Sequence, residues 1–501
     1  MEAKTQVSET SDSRPESLDI DYEAEKKLLR KLDWHILPIV GPLYVFSFLD
    51  RINIGNARLY GLEEDLNLSS MQFSIALSVF FVTYVIVEIP SNLIIKRVGA
   101  SRWIPFITFT WGIIATCTGL AQKFQDLVAL RLLLGLFEGG FVPGIQLYLT
   151  SFYTRKEMAM RVALFMISPS IAGAFGGLLA YAIGHMDGYL GYRGWRWIMI
   201  LEGIPTSLLA VLAYLLMADS PTSASYLTPG EKTLLLSRQQ RSNTSHPHPH
   251  PTTTTTTTPT DPPSPRRADV LAALADPISW AFAATGFCSA TVNYGYSVFL
   301  PTLLHGLYPA WSTPRVQAMT IPCYGAGVAA CLLLAYASDR LQRRGAVAAA
   351  SALVACAGYV VLLATGGTAS AAAAGGYAGC VVVPVGMGAV ATVCVAWQAG
   401  NVPRFGKRAV ALAMQMMGTN TGGIMMSYIY PKSEGPRYRR GHSVTLSLAL
   451  VAVAFICFLS WHFARVNRRR AAGKEDWKLA GLTPEQVEEL GDRSPHFVYT
   501  T

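Results

Sequence analysis

The chain is short of charge. Asp, Glu, Lys and Arg make up 15% of its 501 residues, against 51% hydrophobic residues. An ordinary soluble chain carries about 25% charged residues. The shortage excludes a typical water-soluble globule and points to a membrane protein, in keeping with a positive mean hydropathy. No CxxC pair occurs among the eight cysteines, all of which lie in or beside apolar segments. They are read as small packing residues rather than metal or redox groups. No G-x-x-x-x-G-K-[ST] loop is present, so nucleotide-driven work is unsupported, and no catalytic motif is recognisable. No cofactor is expected. The first 33 residues contain no apolar stretch of signal-peptide type, so the first apolar run is expected to serve as its own insertion signal. The net charge of +9 arises largely from short loops between apolar runs and is no sign of nucleic-acid binding.

What is present is a succession of long apolar runs. About 20 apolar residues cross a bilayer as a helix. Twelve candidates stand at roughly 34–56, 71–94, 103–121, 127–149, 160–183, 195–217, 278–302, 317–338, 346–366, 374–397, 407–429 and 443–464. They divide the chain into a tail (1–33), a six-span half (34–217), a polar linker (218–277), a second six-span half (278–464) and a tail (465–501). The expected fold is an all-α membrane protein of twelve transmembrane helices in two six-helix halves. Within the linker, His246, His248 and His250 alternate with prolines and precede seven threonines. Such repeats cannot form a core, so this stretch is read as disordered low-complexity sequence rather than a metal site.

Basic residues gather in alternate short loops, among them Lys96, Arg97 and Arg102, then Arg155, Lys156 and Arg161, then Arg404, Lys407 and Arg408. That bias places both chain ends and the linker in the cytosol. The first loop on the other side carries Glu63, Glu64 and Asp65. One loop dissents. Lys432, Arg437, Arg439 and Arg440 fall between spans 11 and 12, on the side expected to be outside.

Two charge constellations interrupt the apolar runs: Asp50-Arg51 in span 1, and Arg131 with Glu138 in span 4. A charge at bilayer depth costs at least about 2.5–3.5 kcal/mol, so it normally lines a polar cavity and works there. Arg131 and Glu138 are seven residues apart, which puts them on one helix face about 10 Å apart along the axis. A basic and an acidic group so spaced suit an anion site beside a proton site. Arg stays charged and can hold a carboxylate through two N–H groups. The proton occupancy of a buried carboxyl responds to burial and to a neighbouring Arg. The competing reading makes Asp50–Arg51 and Glu138–Arg131 structural ion pairs. Arg131, Gly135 and Gly139 also form R-x-x-x-G-x-x-x-G, whose glycines let a neighbouring helix approach. Gly139-Gly140 and Pro143-Gly144 are expected to loosen the outer half of span 4. Asn293 and Tyr294 interrupt span 7 and are candidate substrate contacts, with helix–helix hydrogen bonding as the alternative. Glu202 in span 6 is given a structural role.

Two loops look like copies of one element. Asp339, Arg340, Arg343 and Arg344 follow span 8, and Lys96, Arg97 and Arg102 follow span 2. Such residues can clamp neighbouring helix ends, and an Asp can face a helix N-terminus. Lys96, Arg97, Asp339, Arg340 and Arg344 are therefore expected to gate the cytosolic side. The six-plus-six layout, the duplicated loop and the glycine-spaced span 4 resemble the major facilitator superfamily. Lys96 stands where that pattern usually has Asp, and Glu88 is the nearest acid that can replace it. A narrower likeness rests on four motifs. They are Phe48-Leu-Asp50-Arg51-Ile-Asn53-Ile-Gly55-Asn56, Glu88-Ile-Pro90-Ser91-Asn92, Gly194-Trp195-Arg196-Trp197 with Glu202-Gly203, and Trp397-Gln398-Ala-Gly-Asn401. These are similar to the anion:cation symporter family, above all its fungal allantoate and nicotinate permease branch.

That resemblance implies proton sites at Asp50 and Glu138, anion contacts at Arg51 and Arg131, and Tyr84 as a neighbour of Asp50. It implies further substrate contacts at Trp397 and Asn420. It implies proton-coupled symport of a small organic anion, a carboxylate nutrient or vitamin, across the plasma membrane by alternating access. The expected partners are the anion, protons and the lipid bilayer, and a monomer is expected to suffice. Two other readings stand beside it: export of an acidic secondary metabolite, and an anion sensor without flux.

Overall fold

The computed structural model describes residues 22–154, 168–244, 267–365 and 370–501 apart from 484–485 and 488–489, together with Glu157, Arg161 and Phe165. Twelve long helical elements coincide with the twelve expected runs: α1 Tyr22–Leu59, α2 Ser70–Val98, α3 Ala100–Thr118, α4 Phe124–Thr150, α5 Ser168–Ile183, α6 Gly194–Leu216, α7 Pro277–Leu307, α8 Thr320–Leu341, α9 Arg344–Thr365, α10 Ser370–Asn401, α11 Phe405–Met426 and α12 Arg439–Ala471. Among the described residues, eight helices are long and apolar enough to cross a membrane, or nine if Arg267–Leu274 and α7, bent by 67° at their junction, form one span.

Local chemistry sets several boundaries. Ser69 caps α2 by accepting from the Gln72 amide while the Gln72 side chain accepts from the Ser69 amide, a reciprocal box that satisfies two otherwise orphaned donors. Asp276 caps α7 by accepting from the Ile278 amide, with Pro277 at the first helical position, where its missing N–H costs nothing. α4 breaks at Gly139 and Gly140 into Phe124–Glu138 and Phe141–Thr150. The break lies toward the face that carries the chain ends, because α4 runs toward that face. This corrects the expected placement in the outer half.

The packing repeats between halves. α2 packs on α4 as α8 packs on α10; α3 packs on α6 as α9 packs on α12; α1 meets α5 and α6 as α7 meets α11 and α12. The halves meet along α1–α7, α2–α11 and α5–α8. Glycines permit the close approach. A Cβ at Gly55 would lie 2.0 Å from the Val298 carbonyl oxygen, and one at Gly423 would lie 2.3 Å from the Phe81 ring.

The linker is helical at both ends, at Pro229–Thr244 and Arg267–Leu274, and Glu231 ties the first of these to α1 through Lys31 at 2.7 Å. The His-Pro and Thr runs lie outside the described residues. The C-terminal segment folds back on the second half. The Thr500 carbonyl accepts from the Trp397 indole at 2.7 Å and from Asn401 at 3.0 Å. Tyr499 exchanges two hydrogen bonds with Asn467 on α12 and stacks on Phe463 at 4.6 Å. Asp492 pairs with Lys407 on α11 at 2.7 Å.

Candidate site between the two halves

Glu138 is fully buried, and its partner is Arg51 of α1. Arg51 Nε donates to Glu138 Oε1 at 2.8 Å and Nη2 lies 2.7 Å from the same oxygen, while Ser47, one turn earlier on α1, donates to it at 2.7 Å. Glu138 Oε2 has no hydrogen-bond partner among the described residues. Neither ion pair of the competing sequence reading forms. Asp50 instead accepts from the Trp111 indole of α3 at 2.6 Å. Adjacent residues on a helix point about 100° apart, so Asp50 faces α3 while Arg51 faces α4.

Arg131 is buried and makes no ion pair among the described residues, and its Nε has no hydrogen-bond partner. It lies within electrostatic reach of both Asp50 and Glu138. The glycines that follow it serve α2. A Cβ at Gly135 would lie 2.2 Å from the Phe80 carbonyl oxygen, and one at Gly139 would lie 2.6 Å from that of Tyr84. α2 is thereby drawn close enough for Tyr84 and Phe80 to flank the Arg51 guanidinium, at 4.7 and 5.7 Å from their ring centres.

A small cavity opens beside this cluster between the halves, lined by Phe48, Arg51, Phe81, Asn293 and Tyr294. Arg51 Nη1 donates to the Tyr294 hydroxyl at 3.3 Å. The cluster thus joins Arg51, Tyr84, Asn293 and Tyr294 with Asp50, Arg131 and Glu138. It offers what an anion needs: a guanidinium that can exchange its carboxylate partner, and a second, unpaired guanidinium nearby.

The other expected residues fall elsewhere. Trp397 is buried between Phe282 and Phe463 near the chain-end face, where its indole holds Thr500. Asn420 donates to Glu88 at 3.2 Å, so it joins α11 to α2. Glu88 is therefore not the acid of the loop after α2. That place is taken by Asp219, which accepts from the Ser101 amide at 2.7 Å at the start of α3 and packs under Gly99, whose φ of 93° suits glycine. In the second copy, Arg344 sits 3.7 Å from Asp339 and donates to the Ala396 carbonyl. Arg97 and Arg340 are exposed. The Lys96 side chain lies outside the described residues.

Sequence reasoning passed over Ser47 and Trp111, and it gave Glu202 and Lys432 no part in the site or its closure. Ser47 carries a faint signal, since it stands one turn before Arg51. Trp111 carries none. Glu202, given a structural role, is buried with both carboxyl oxygens unpartnered among the described residues. Lys432 belongs to the dissenting basic loop, and its position explains the dissent. It pairs with Glu64 at 2.7 Å and Glu63 at 3.1 Å across the halves, and the Glu64 hydrogen bond holds its ammonium above the usual lysine range. The ion pairs described on the chain-end face stay within one half, such as Arg161–Asp33 and Arg404–Asp269. The halves are therefore latched on the face away from the chain ends. Reversing this charge with Lys432→Glu sets three acids together. An exposed pair contributes about 0.2–1 kcal/mol, so the ratio of latched to open protein should fall by about 1.4- to fivefold. Labelling of a Ser78→Cys reporter from that face checks this. Unchanged labelling would show that Lys432 does not hold the face shut.

The sequence profile of the Major Facilitator Superfamily matches residues 40–429. The chain is 35% identical to an uncharacterised transporter of Schizosaccharomyces pombe over 455 residues, 91% of this chain and 87% of that one. It is 28% identical to the high-affinity nicotinic acid transporter of Saccharomyces cerevisiae, over 95% of this chain and 85% of that one. Among solved structures it is similar to a bacterial homologue of the human lysosomal transporter Spinster, in an inward-facing and unoccupied conformation. The TM-score there is 0.65 at 16% identity, covering 86% of this chain and 98% of that one.

Proposed function

The chain belongs to the Major Facilitator Superfamily and is a multi-pass membrane transporter, and from that premise we propose that it carries a small organic anion together with protons. The observation that supports this reading is the exchangeable pair Arg51–Glu138 beside the cavity between the halves, with Asp50 and the unpaired Arg131 close by. An incoming carboxylate takes over Arg51 or Arg131. Glu138, released from Arg51, accepts a proton, because an unpaired carboxylate at that depth is too costly. Asp50 provides a second proton position on the α3 side. The anion and the proton on Glu138 enter together, so the loaded cluster keeps the net charge of the empty one and can change its facing. The likeness to a nicotinic acid transporter supports a monocarboxylate of vitamin size. We place the twelve-span protein in the plasma membrane with both ends cytosolic. The latch through Lys432 then lies outside, and the described state faces inward.

The test is uptake of labelled nicotinate, allantoate, pantothenate and short dicarboxylates by cells expressing the chain, at external pH of about 5 and 7.5. Acid-stimulated uptake is expected. Glu138→Gln should abolish the pH dependence and lower uptake at least about tenfold. Full proton-coupled uptake by Glu138→Gln would remove Glu138 as a proton site. Absence of any uptake despite surface expression would favour export of a metabolite outside the panel.

A further inference from the structure

One face of α12 stays exposed from end to end. Leu450, Val451, Cys457, Phe458 and Trp461 lie on it, at helical spacing, and the same face continues into Arg465, Arg468 and Arg469. Through the apolar stretch this face meets lipid tails, since no other helix covers it among the described residues and these side chains would be costly in water. Trp461 marks the level where tails give way to headgroups, the depth at which Trp is enriched. Just beyond it a cleft opens on the chain-end face, lined by Trp461, Arg465, Arg468, Arg469 and Lys474.

The charges of this cleft are mostly unspent. Arg465 lies over the Trp461 ring at 5.2 Å, which orients its guanidinium without neutralising it. Arg465 and Arg468 have no carboxylate within ion-pair distance among the described residues. Arg469 reaches only Glu475, at 3.9 Å, and that carboxylate is already shared with Arg470 at 3.3 Å and Lys478 at 3.0 Å. Arg470 points the other way, into the C-terminal segment. Four cations therefore surround an open cleft that adjoins a lipid-facing apolar stripe.

We propose that this cleft binds the phosphate of an anionic phospholipid headgroup whose tails run down the exposed face of α12. Guanidinium groups bind phosphate oxygens through paired N–H donors, and basic clusters at the headgroup level recognise anionic lipids. The stripe and the cleft are continuous, so a lipid satisfies both at once and a free phosphate only the second. The proposal rests on membrane embedding and not on the identity of the transported anion.

The test uses the purified full chain and native mass spectrometry with phosphatidylserine, phosphatidylinositol and phosphatidylcholine, and inorganic phosphate as the soluble probe. Anionic lipids should be retained at least about tenfold more than phosphatidylcholine. Arg465→Gln/Arg468→Gln/Arg469→Gln should reduce that retention to the phosphatidylcholine level. The charge-matched control Arg437→Gln/Arg439→Gln/Arg440→Gln, on the far face, should leave it unchanged. Arg468→Glu alone provides a milder variant should the triple change lower the yield, and it should cut retention several-fold. Equal loss in the far-face control, or full retention in the cleft variants, overturns the proposal. Inorganic phosphate bound as tightly as the lipids, and displaced from the same arginines, would make this a soluble-anion site and overturn the lipid assignment.

Discussion

Arg51→Ala should reduce transport to background and destabilise the protein by about 3–5 kcal/mol, the usual cost of stripping one partner from a buried ion pair. The loss is large because Glu138 is fully buried and Arg51 and Ser47 are its only described side-chain partners, both on one oxygen. The same guanidinium also ties α1 to Tyr294 of α7 and sits among Phe48, Phe80 and Tyr84, so packing is lost with charge. Arg51→Ala/Glu138→Gln should recover much of the thermal stability in detergent, since position 138 then carries no charge stripped of its partner, yet should not recover transport. Arg51→Lys keeps the charge but cannot reach Glu138 and Tyr294 together, and should leave folded protein with transport lowered more than about tenfold. A double variant that transports normally would reduce the pair to a structural prop.

Gly55→Val should lower transport by about 50-fold or more through a different cause. Its side chain would drive into the backbone of α7, with Cβ 2.0 Å from the Val298 oxygen and 2.9 Å from its carbon. Helix backbone cannot yield as a flexible side chain can, so α1 and α7 must part at that level. The Lys432 face should then stay open, with the Ser78→Cys reporter labelled whether or not substrate is added. Gly41→Ala, on the same helix, where the added Cβ meets no described atom within 4 Å beyond its own neighbouring helix backbone, should be neutral or slightly stabilising, as expected for Gly to Ala in a helix. Wild-type transport by Gly55→Val would show that close approach of these helices is not needed.

The helix order was readable because apolar runs of spanning length are a strong signal, and each of the twelve overlaps a helix among the described residues, eight or nine of them long and apolar enough to cross a membrane. The ends were less so. α1 begins at Tyr22, well before its apolar run, since a mixed-charge amphipathic turn such as Lys31 to Asp33 gains partners only in the folded protein, here Glu231 and Arg161. Composition could find the charged residues of the central cluster because charge at membrane depth is rare. It could not assign their partners. Asp50 and Arg51 are neighbours in sequence and diverge in space, and Arg51 meets Glu138 across 87 residues. Trp111 looks like any other apolar ring until its N–H is seen to meet a carboxylate. Trp397 and Asn420 came from likeness alone, and the first stands at a helix end rather than in the cavity.

The C-terminal segment has a mechanical consequence. By holding Trp397 and Asn401 of α10, Lys407 of α11 and Asn467 of α12, it staples three helix ends into one stiff plate. These ends cannot shear past one another while the staple holds, so bending during a cycle must occur farther along the helices. A single spectroscopic reporter on any one of the three ends therefore tracks the displacement of all of them.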